Sequence, residues 1–205
     1  MMGHKSAARR HPLHGTALFG ALSGAFMLAH RLADQWVQDS GDAVNKDAHG
    51  AHLVYADGVE VGAEPDGQDR TGWPTMTATQ LGRRCAARHV ATYTAVQTAA
   101  AAAVTGLLGR RLPARALLAA AAINSATHYV IDRRAPLLKL AELLGKTGYI
   151  DHCQAVRRLP DGALTVEQSG PGTAVMELDQ ALHELCGGVA ALVATVLAVR
   201  AADRE

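Results

Sequence analysis

The hydrophobic residues of this chain gather into four long apolar stretches that are separated by polar segments. The stretches predict helices at about 15–36, 89–108, 114–132 and 178–199. Each is close to the roughly 20 residues with which an α-helix crosses the hydrocarbon core of a bilayer. We therefore expect an all-α fold, a four-helix antiparallel bundle that is transmembrane and forms a single domain over residues 1–205.

Two long polar segments, 39–88 and 133–177, connect these helices and would lie on the same side of such a bundle. The first contains Asp57-Gly58, which predicts a hairpin turn. The second begins with an amphipathic stretch from Pro136 to Leu144, a predicted short helix that Gly145 ends. Further on, Leu159-Pro-Asp-Gly162 predicts a turn.

Composition leaves a soluble bundle open as the alternative. Alanine fills 41 of the 205 positions, and aromatic residues make up only 4% beside a hydrophobic fraction of 49%. Alanine is a weak membrane-inserting residue, but the charged fraction of 19% is below the usual quarter or so. The net charge of +1 excludes a polycation that holds nucleic acid by charge alone, and we expect no direct sequence-specific nucleic-acid binding.

Basic residues suggest an orientation for the membrane bundle. The N-terminal tail carries Lys5, Arg9 and Arg10 and leads into an apolar run, as a signal peptide does. Because no small-residue cleavage site follows, we interpret the run as a retained first helix. Arginines also mark the turn at 110–115 and the C-terminal segment 200–204. The positive-inside rule then predicts a multi-pass protein of the cytoplasmic membrane with a cytoplasmic N-terminus.

Polar residues recur inside the apolar helices at a spacing of four, which places them on one face of each helix. The four groups are His30, Asp34 and Gln38; His89, Tyr93 and Gln97; Asn124, His128 and Asp132; and Asp179 and His183. In an antiparallel bundle, the ends that carry the histidines and aspartates all fall on the same side. The pattern therefore predicts one shared polar site.

Imidazole and carboxylate groups are ligands of Zn²⁺, Mn²⁺ and Fe²⁺, and helical bundles often build metal sites from pairs of this kind. We therefore expect a divalent metal, Zn or Mn or Fe, as the cofactor. The candidate metal ligands are His30, Asp34, His89, His128, Asp132, Asp179 and His183.

The candidates divide by expected role. His30, His128 and Asp132 are expected to bind the metal directly. Asp34 and His183 are expected to be ligands or the catalytic general base. The other two candidates, at positions 89 and 179, would orient the ligands.

Ordinary alternatives remain for each of these residues. A histidine at a helix end is commonly an interfacial or capping residue. Asp132 can form an ion pair with the arginines at 133–134, and Asp34 can pair with Arg31. Asp179 can complement the dipole of its own helix.

Several residues outside the helices are secondary candidates. Lys46 follows the first helix closely enough to reach the site, and Asp151-His152-Cys153 can supply a ligand from the second polar segment. The arginines at 83, 84 and 88 can contact phosphate. Three scattered cysteines without a CxxC spacing do not indicate a disulfide framework.

The order of these motifs resembles a bacterial and phage family of small membrane proteins, domain of unknown function 3307. The resemblance is carried in order by Ala29-His30-x-x-Ala33-Asp34-x-x-x-Gln38, Lys46, His89, His128-x-x-x-Asp132 and Leu178-Asp179-Gln180-x-x-His183. It covers nearly the whole chain, although segment 54–84 is longer than expected. The motif style is similar to that of membrane-bound metal-dependent hydrolases, in which His and Asp at helix ends are taken to bind metal. The resemblance implies a bacterial cytoplasmic membrane protein.

Three functions follow as hypotheses. The first is a metal-dependent hydrolase of a phosphate or acyl bond, with membrane lipid as its partner and a lipid or phosphate-containing molecule as its substrate. The alternative is a non-enzymatic membrane accessory protein of a mobile element or phage, acting in transfer, immunity or the envelope. A third is a proton or ion pathway, since stripes of polar residues also suit a relay.

Overall fold

Helix dominates the computed structural model, which describes residues 13–204. Helices hold 64% of the residues, so the chain is all-α in class. Within the described range there are seven α-helices: α1 Leu13–Leu32, α2 Ser40–Asn45, α3 Ala78–Leu107, α4 Ala114–Asp132, α5 Ala135–Leu143, α6 Thr147–His152 and α7 Ala174–Ala202. A π-helical segment, Ala33–Val37, extends α1. The basic tail with Lys5, Arg9 and Arg10 lies outside the described residues.

Each of the four long helices packs against two others. Helix α1 lies against α3 and α7, and α4 lies against the same two helices. The buried residues between them are mostly alanines, joined by three larger side chains of α1: Leu18, Leu22, Phe26, Ala101, Ala116, Ala120, Ala190, Ala191 and Ala194. Alanine lets helix axes approach closely, which explains how a chain with few aromatic residues still forms a continuous core.

The helix bounds differ most from the sequence prediction at the start of α3. Helix α4 has the predicted range, and α1 with its π-helical extension covers the first predicted helix. Helix α3 begins at Ala78 because Thr77 forms a capping box with Gln80: the Thr77 hydroxyl accepts from the Gln80 N–H, and the Gln80 side chain accepts from the Thr77 N–H. The last part of the predicted polar loop 39–88 is therefore helical.

The polar segments contain two small antiparallel ladders. Strand β1, Leu53–Val54, pairs with β2, Met76–Thr77. The residues between the two strands therefore form a long loop whose two ends are held together by this ladder. The predicted turn at Asp57-Gly58 is present, with Gly58 at a φ of +90°. Strands β3, Ala155–Arg158, and β4, Leu164–Glu167, form a hairpin where only a turn was predicted. Their alternating polar residues gave no clear strand pattern.

Two helical segments, His14–Val37 and Ala174–Ala202, are long and apolar enough to cross a membrane. Among the described helices, α3 and α4 do not meet the same measure. The core helix of a soluble protein can meet it as well. A passage of all four helices through a membrane therefore belongs to the proposals below.

Candidate metal centre

The ends of the four long helices bring all seven predicted ligands together. Histidine and aspartate come from the end of α1 and its π-helical extension, from α3, from the end of α4 and from the start of α7. The side chains are almost completely enclosed: His89 is 0% exposed, and His128 and Asp132 are each 1% exposed. The cluster spans about 150 residues of sequence, from His30 to His183, so only the packing of the helices creates it.

The π-helical segment positions Asp34. The Gln38 N–H donates to the carbonyl of Ala33, five residues earlier, at 2.9 Å, which widens the last turn of the helix. Turns of this kind are frequent at functional sites, because they displace one side chain from the regular helical face. The segment lies against α3, and Asp34 Oδ1 comes within 3.3 Å of His89 Nε2.

Four donor atoms lie close together, and we call them the inner site: His89 Nε2, His128 Nε2, Asp34 Oδ1 and Asp132 Oδ2. The two nitrogens are 2.8 Å apart, at hydrogen-bond distance. From them the carboxylate oxygens lie between 3.2 and 3.7 Å away. Ligands around a tetrahedral Zn²⁺ at about 2.1 Å are about 3.4 Å from each other, so the nitrogen–oxygen separations are close to those of ligands to one small cation. The donor atoms of His89, His128 and Asp132 all lie within 4.8 Å of one another, as do those of His30, Asp34 and His128.

Charge in the cluster also favours a cation. The carboxylates of Asp34, Asp132 and Asp179 are largely buried, and Lys46 brings the one ammonium group among their described ion-pair partners. Buried carboxylates are costly unless they are paired or bind a metal. Within residues 13–204, moreover, neither Asp34 Oδ1 nor Asp132 Oδ2 has a hydrogen-bond partner of normal geometry. The donor set fits a divalent ion.

The turn after α2, residues 46–48, is held against α4 and places Lys46 in the cluster. Lys46 Nζ lies 3.0 Å from Asp132 Oδ1. Arg133 donates to the carbonyls of Lys46 and Ala48 at 2.7 and 2.8 Å. Gly82 makes this possible, since a Cβ there would overlap the Ala48 carbonyl and the Arg133 guanidinium. Asp132 therefore pairs with Lys46, whereas Arg133, the next residue, donates to backbone carbonyls of the segment that carries Lys46.

Aromatic and amide groups close the cluster on the side of the apolar core. The Tyr93 ring lies against His128, with ring centroids 3.8 Å apart. Gln97 donates to the Tyr93 hydroxyl at 2.8 Å and to the carbonyl of Phe26 at 3.1 Å. The polar stripe of α3 thus continues below the cluster as a hydrogen-bonded layer. Asn124 of the α4 stripe is buried at the same level of the fold.

The geometry places two of the predicted residues more closely. His89, predicted to orient other ligands, contributes one of the four atoms of the inner site. His30, predicted as a direct ligand, has Nδ1 at 3.5 Å from Asp34 Oδ2, and its donor atom lies within 4.8 Å of those of Asp34 and His128. Gln180 belongs to the motif that carries the family resemblance but was given no role, and its Oε1 lies 3.1 Å from His30 Nε2. Its position one turn before His183 was the available signal.

Apart from Lys46, the secondary candidates do not join the cluster. His152 is exposed, and its Nδ1 faces the carbonyl of Gly148. Arg31 pairs with Glu184 at 2.9 Å, so Asp34 has histidines as its neighbours and does not pair with Arg31. The neighbouring arginines 83 and 84 are exposed on the surface of α3.

Arg88 pairs with Asp42 next to the cluster. Burial by itself would raise the pKa of Asp42, but hydrogen bonds from Arg88 and Cys85 hold the pKa of this carboxyl below its usual range. Burial, together with the neighbouring carboxylate, raises the pKa of the Cys85 thiol to about 11. Cys85 is therefore a protonated, structural thiol at neutral pH.

In comparisons with known proteins, no family model, no curated protein and no solved structure matches this chain. The resemblance to domain of unknown function 3307 and to metal-dependent membrane hydrolases therefore stays a prediction. The function is inferred from the geometry of the cluster.

Proposed function

We propose that the chain is a multi-pass protein of a cytoplasmic membrane, with its four long helices as an antiparallel bundle and a divalent metal ion in the inner site. Its activity is hydrolysis of a phosphate or acyl ester bond in a lipid or lipid-linked substrate. The observation that carries the proposal is the proximity of two imidazole nitrogens to each other and to two carboxylate oxygens, at distances of 2.8–3.7 Å.

The outer face of α7 supports the membrane location. Leu185, Val189, Leu192, Val196 and Val199 recur every three or four residues and are all exposed, by 38% to 64%. The opposite face of the same helix packs on the apolar core. A helix that is apolar on all sides is expected in a membrane or deep in a large protein. Bilayer lipid is the partner that would cover such a face in a chain of 205 residues.

The chemistry follows from the donor set. A bound divalent ion lowers the pKa of a coordinated water and polarises a phosphoryl or carbonyl oxygen. Lys46, with its ammonium 16% exposed beside Asp132, is placed to attract an anionic group. Asp179, 13% exposed, is the acidic group nearest to solvent and is suited to accept a proton.

Purification in detergent without a polyhistidine tag, followed by elemental analysis, tests metal binding. We expect stoichiometric Zn, Mn or Fe in the wild type and none in a His128→Ala, Asp132→Ala double variant. His152→Ala is the matched control, since this histidine is exposed and outside the cluster. A metal-free wild type after reconstitution with each ion would overturn the proposal.

Hydrolysis is tested separately with vesicles of phosphatidylcholine that contain phosphatidic acid. Release of inorganic phosphate or of fatty acid, lost on chelation and restored by the ion, is the expected result. A metal-loaded protein that releases neither product from these vesicles or from soluble phosphate and acyl esters would contradict the enzymatic part.

The burial of the inner site favours a second candidate, a non-enzymatic membrane accessory protein with a structural metal. Structural zinc sites are closed by four protein ligands, whereas catalytic sites keep one position open. The four donors of the inner site would complete a tetrahedron, and three of their side chains are 0–1% exposed. Absorption spectra of the cobalt-substituted protein separate the candidates: a spectrum that phosphate or hydroxide does not perturb supports the accessory role.

A further inference from the structure

A second pair of histidines stands on the other side of the two bridging carboxylates. The inner site uses one oxygen of Asp34 and one of Asp132. The remaining oxygens point away from it: Asp34 Oδ2 lies 3.5 Å from His30 Nδ1, and Asp132 Oδ1 lies 3.9 Å from His183 Nε2. Each carboxylate therefore has a histidine near each of its oxygens, and Asp132 Oδ1 also lies 3.0 Å from Lys46 Nζ.

Hydrogen bonds fix the tautomers of this second pair. The His30 Nε2 faces the Gln180 Oε1 at 3.1 Å, and Gln180 is oriented by donating its own Nε2 to Asp179 Oδ2. The nitrogen facing an amide oxygen must carry the hydrogen, so Nδ1 of His30 has a free lone pair. Likewise, the His183 Nδ1 donates to the carbonyl of Asp179 at 2.9 Å, so in the neutral imidazole, which is the form that binds a metal, the lone pair is on Nε2.

Both lone-pair nitrogens are buried and unused. The side chains of His30 and His183 are 3% and 2% exposed. Across residues 13–204, neither His30 Nδ1 nor His183 Nε2 has a hydrogen-bond partner. Their ring centroids are 5.2 Å apart, and two imidazoles that share a tetrahedral ion have centroids about 5 Å apart. Buried nitrogen lone pairs aimed at carboxylate oxygens are costly without a cation between them.

We propose that the bundle end binds two divalent ions, one in the inner site and one in an outer site made by His30 Nδ1, His183 Nε2, Asp34 Oδ2 and Asp132 Oδ1. The two aspartates bridge the ions, and the Lys46 ammonium, 3.0 Å from Asp132 Oδ1 in the metal-free chain, moves aside for the outer ion. This inference rests on the proposed function for the first ion and adds the second. Bridged ions of this kind are about 3.5–4 Å apart and clamp the attacking and leaving oxygens of a phosphoryl group.

Charge points to the same class of ligand. Three carboxylates, Asp34, Asp132 and Asp179, and the ammonium of Lys46 leave two negative charges. Two divalent ions turn this into a net charge of about +2, which a hydroxide and a phosphate ester can neutralise. The outer site has only two terminal protein ligands beside the bridges, so it keeps positions open for water and a phosphate oxygen. It also adjoins Lys46 and Asp179, the most exposed members of the cluster.

Metal stoichiometry and spin coupling test the inference. The chain, purified in detergent with His4, His11 and His14 replaced by Ala to remove tail binding, is loaded with Mn²⁺ and freed of excess ion. We expect about two Mn per chain and an exchange-coupled electron paramagnetic resonance spectrum. A His30→Ala, His183→Ala double variant should retain about one Mn per chain and show the six-line spectrum of an isolated ion.

The outcomes separate this inference from the proposed function. One Mn per chain in the wild type, without spin coupling, overturns the second ion and leaves the first intact. No bound Mn, and no bound Zn or Fe in parallel loadings, overturns both. Helix content by circular dichroism checks that the double variant folds, and a His52→Ala, His152→Ala variant is the matched control. Two uncoupled ions in the wild type would also overturn the bridging by the aspartates.

Discussion

The two ends of the long helices are packed with opposite kinds of side chain, apolar at one end and polar at the other. At one end, the helices meet through Ala101, Ala120 and Ala190 and their neighbours, with Leu22 and Phe26 filling the remaining space. At the other end, the same helices meet through histidines and aspartates that are equally buried. The alanine end satisfies its own groups by contact. The polar end contains buried lone pairs and carboxylates that the described residues do not satisfy.

This difference indicates which end of the long helices needs a bound ligand. Burial of alanine and leucine stabilises a bundle without any partner. Burial of imidazole and carboxylate destabilises it unless a cation completes the arrangement. The alanine end therefore forms the scaffold, and the polar end is the part whose stability depends on a ligand.

Metal removal should have the largest effect. An ion at a free concentration a thousand times its dissociation constant contributes about 4 kcal/mol to the folded state. Exhaustive chelation should therefore lower the thermal midpoint in detergent by something on the order of 10 °C. A Leu22→Ala variant, altered at the alanine end, should start from a lower midpoint and show the same drop on chelation. A wild-type thermal midpoint that chelation leaves unchanged would show that the stability of the polar end does not depend on a metal ion.

Ala190→Leu tests the alanine end directly. This residue is 0% exposed between the helices, and the added carbons have no space. Overpacking of this kind costs about 1–3 kcal/mol. We expect a lower thermal midpoint with unchanged metal content, because the cluster lies at the other end. Val189→Leu, on the exposed face of the same helix, should change neither. Metal loss in Ala190→Leu would mean that the two ends are coupled.

The sequence predicted most of this arrangement because the periodicity of the helices is strong. A spacing of four places His128 and Asp132 on one face whatever surrounds them, and the range of α4 followed from its apolar run. The prediction that the histidines converge added one expectation, that successive long helices alternate in direction. These are local signals and a simple rule of connection.

The remaining features depend on contacts that no local pattern contains. The start of α3 at Ala78 depends on a capping box inside a polar segment. The π-helical turn that moves Asp34 inward arises from packing against α3. Which histidine is central and which is outward depends on side-chain direction within a few ångströms. The partner of Asp132, Lys46, is set by the Arg133 contacts to a distant backbone segment.

Arg133→Gln should weaken metal binding by about tenfold, because groups that orient ligands commonly contribute at least this much to affinity. Without its two hydrogen bonds to the carbonyls of Lys46 and Ala48, the segment that holds Lys46 beside Asp132 loosens. Competition with a chelating dye measures the change. Arg157→Gln is the matched control, since Arg157 pairs with Glu167 in the β3–β4 hairpin, outside the segment that holds Lys46. Equal affinities in both variants would show that the segment has no positioning role.

Asp42→Asn should have the smallest effect. Its ion pair with Arg88 lies at the edge of the polar end, and the Arg88 side chain is 60% exposed, so solvent screening limits the pair to about 0–1 kcal/mol. The folded-state pKa of Asp42 is lowered, so its contribution is present above the unfolded pKa of about 3.8 and is lost as pH falls through the folded value. Thermal midpoints of the metal-free protein should therefore differ between wild type and Asp42→Asn at pH 7 and converge in strong acid. A difference that persists there would mean that the amide disturbs packing and that the charge pair contributes little. The edge of the polar end would then depend on contact, as the alanine end does.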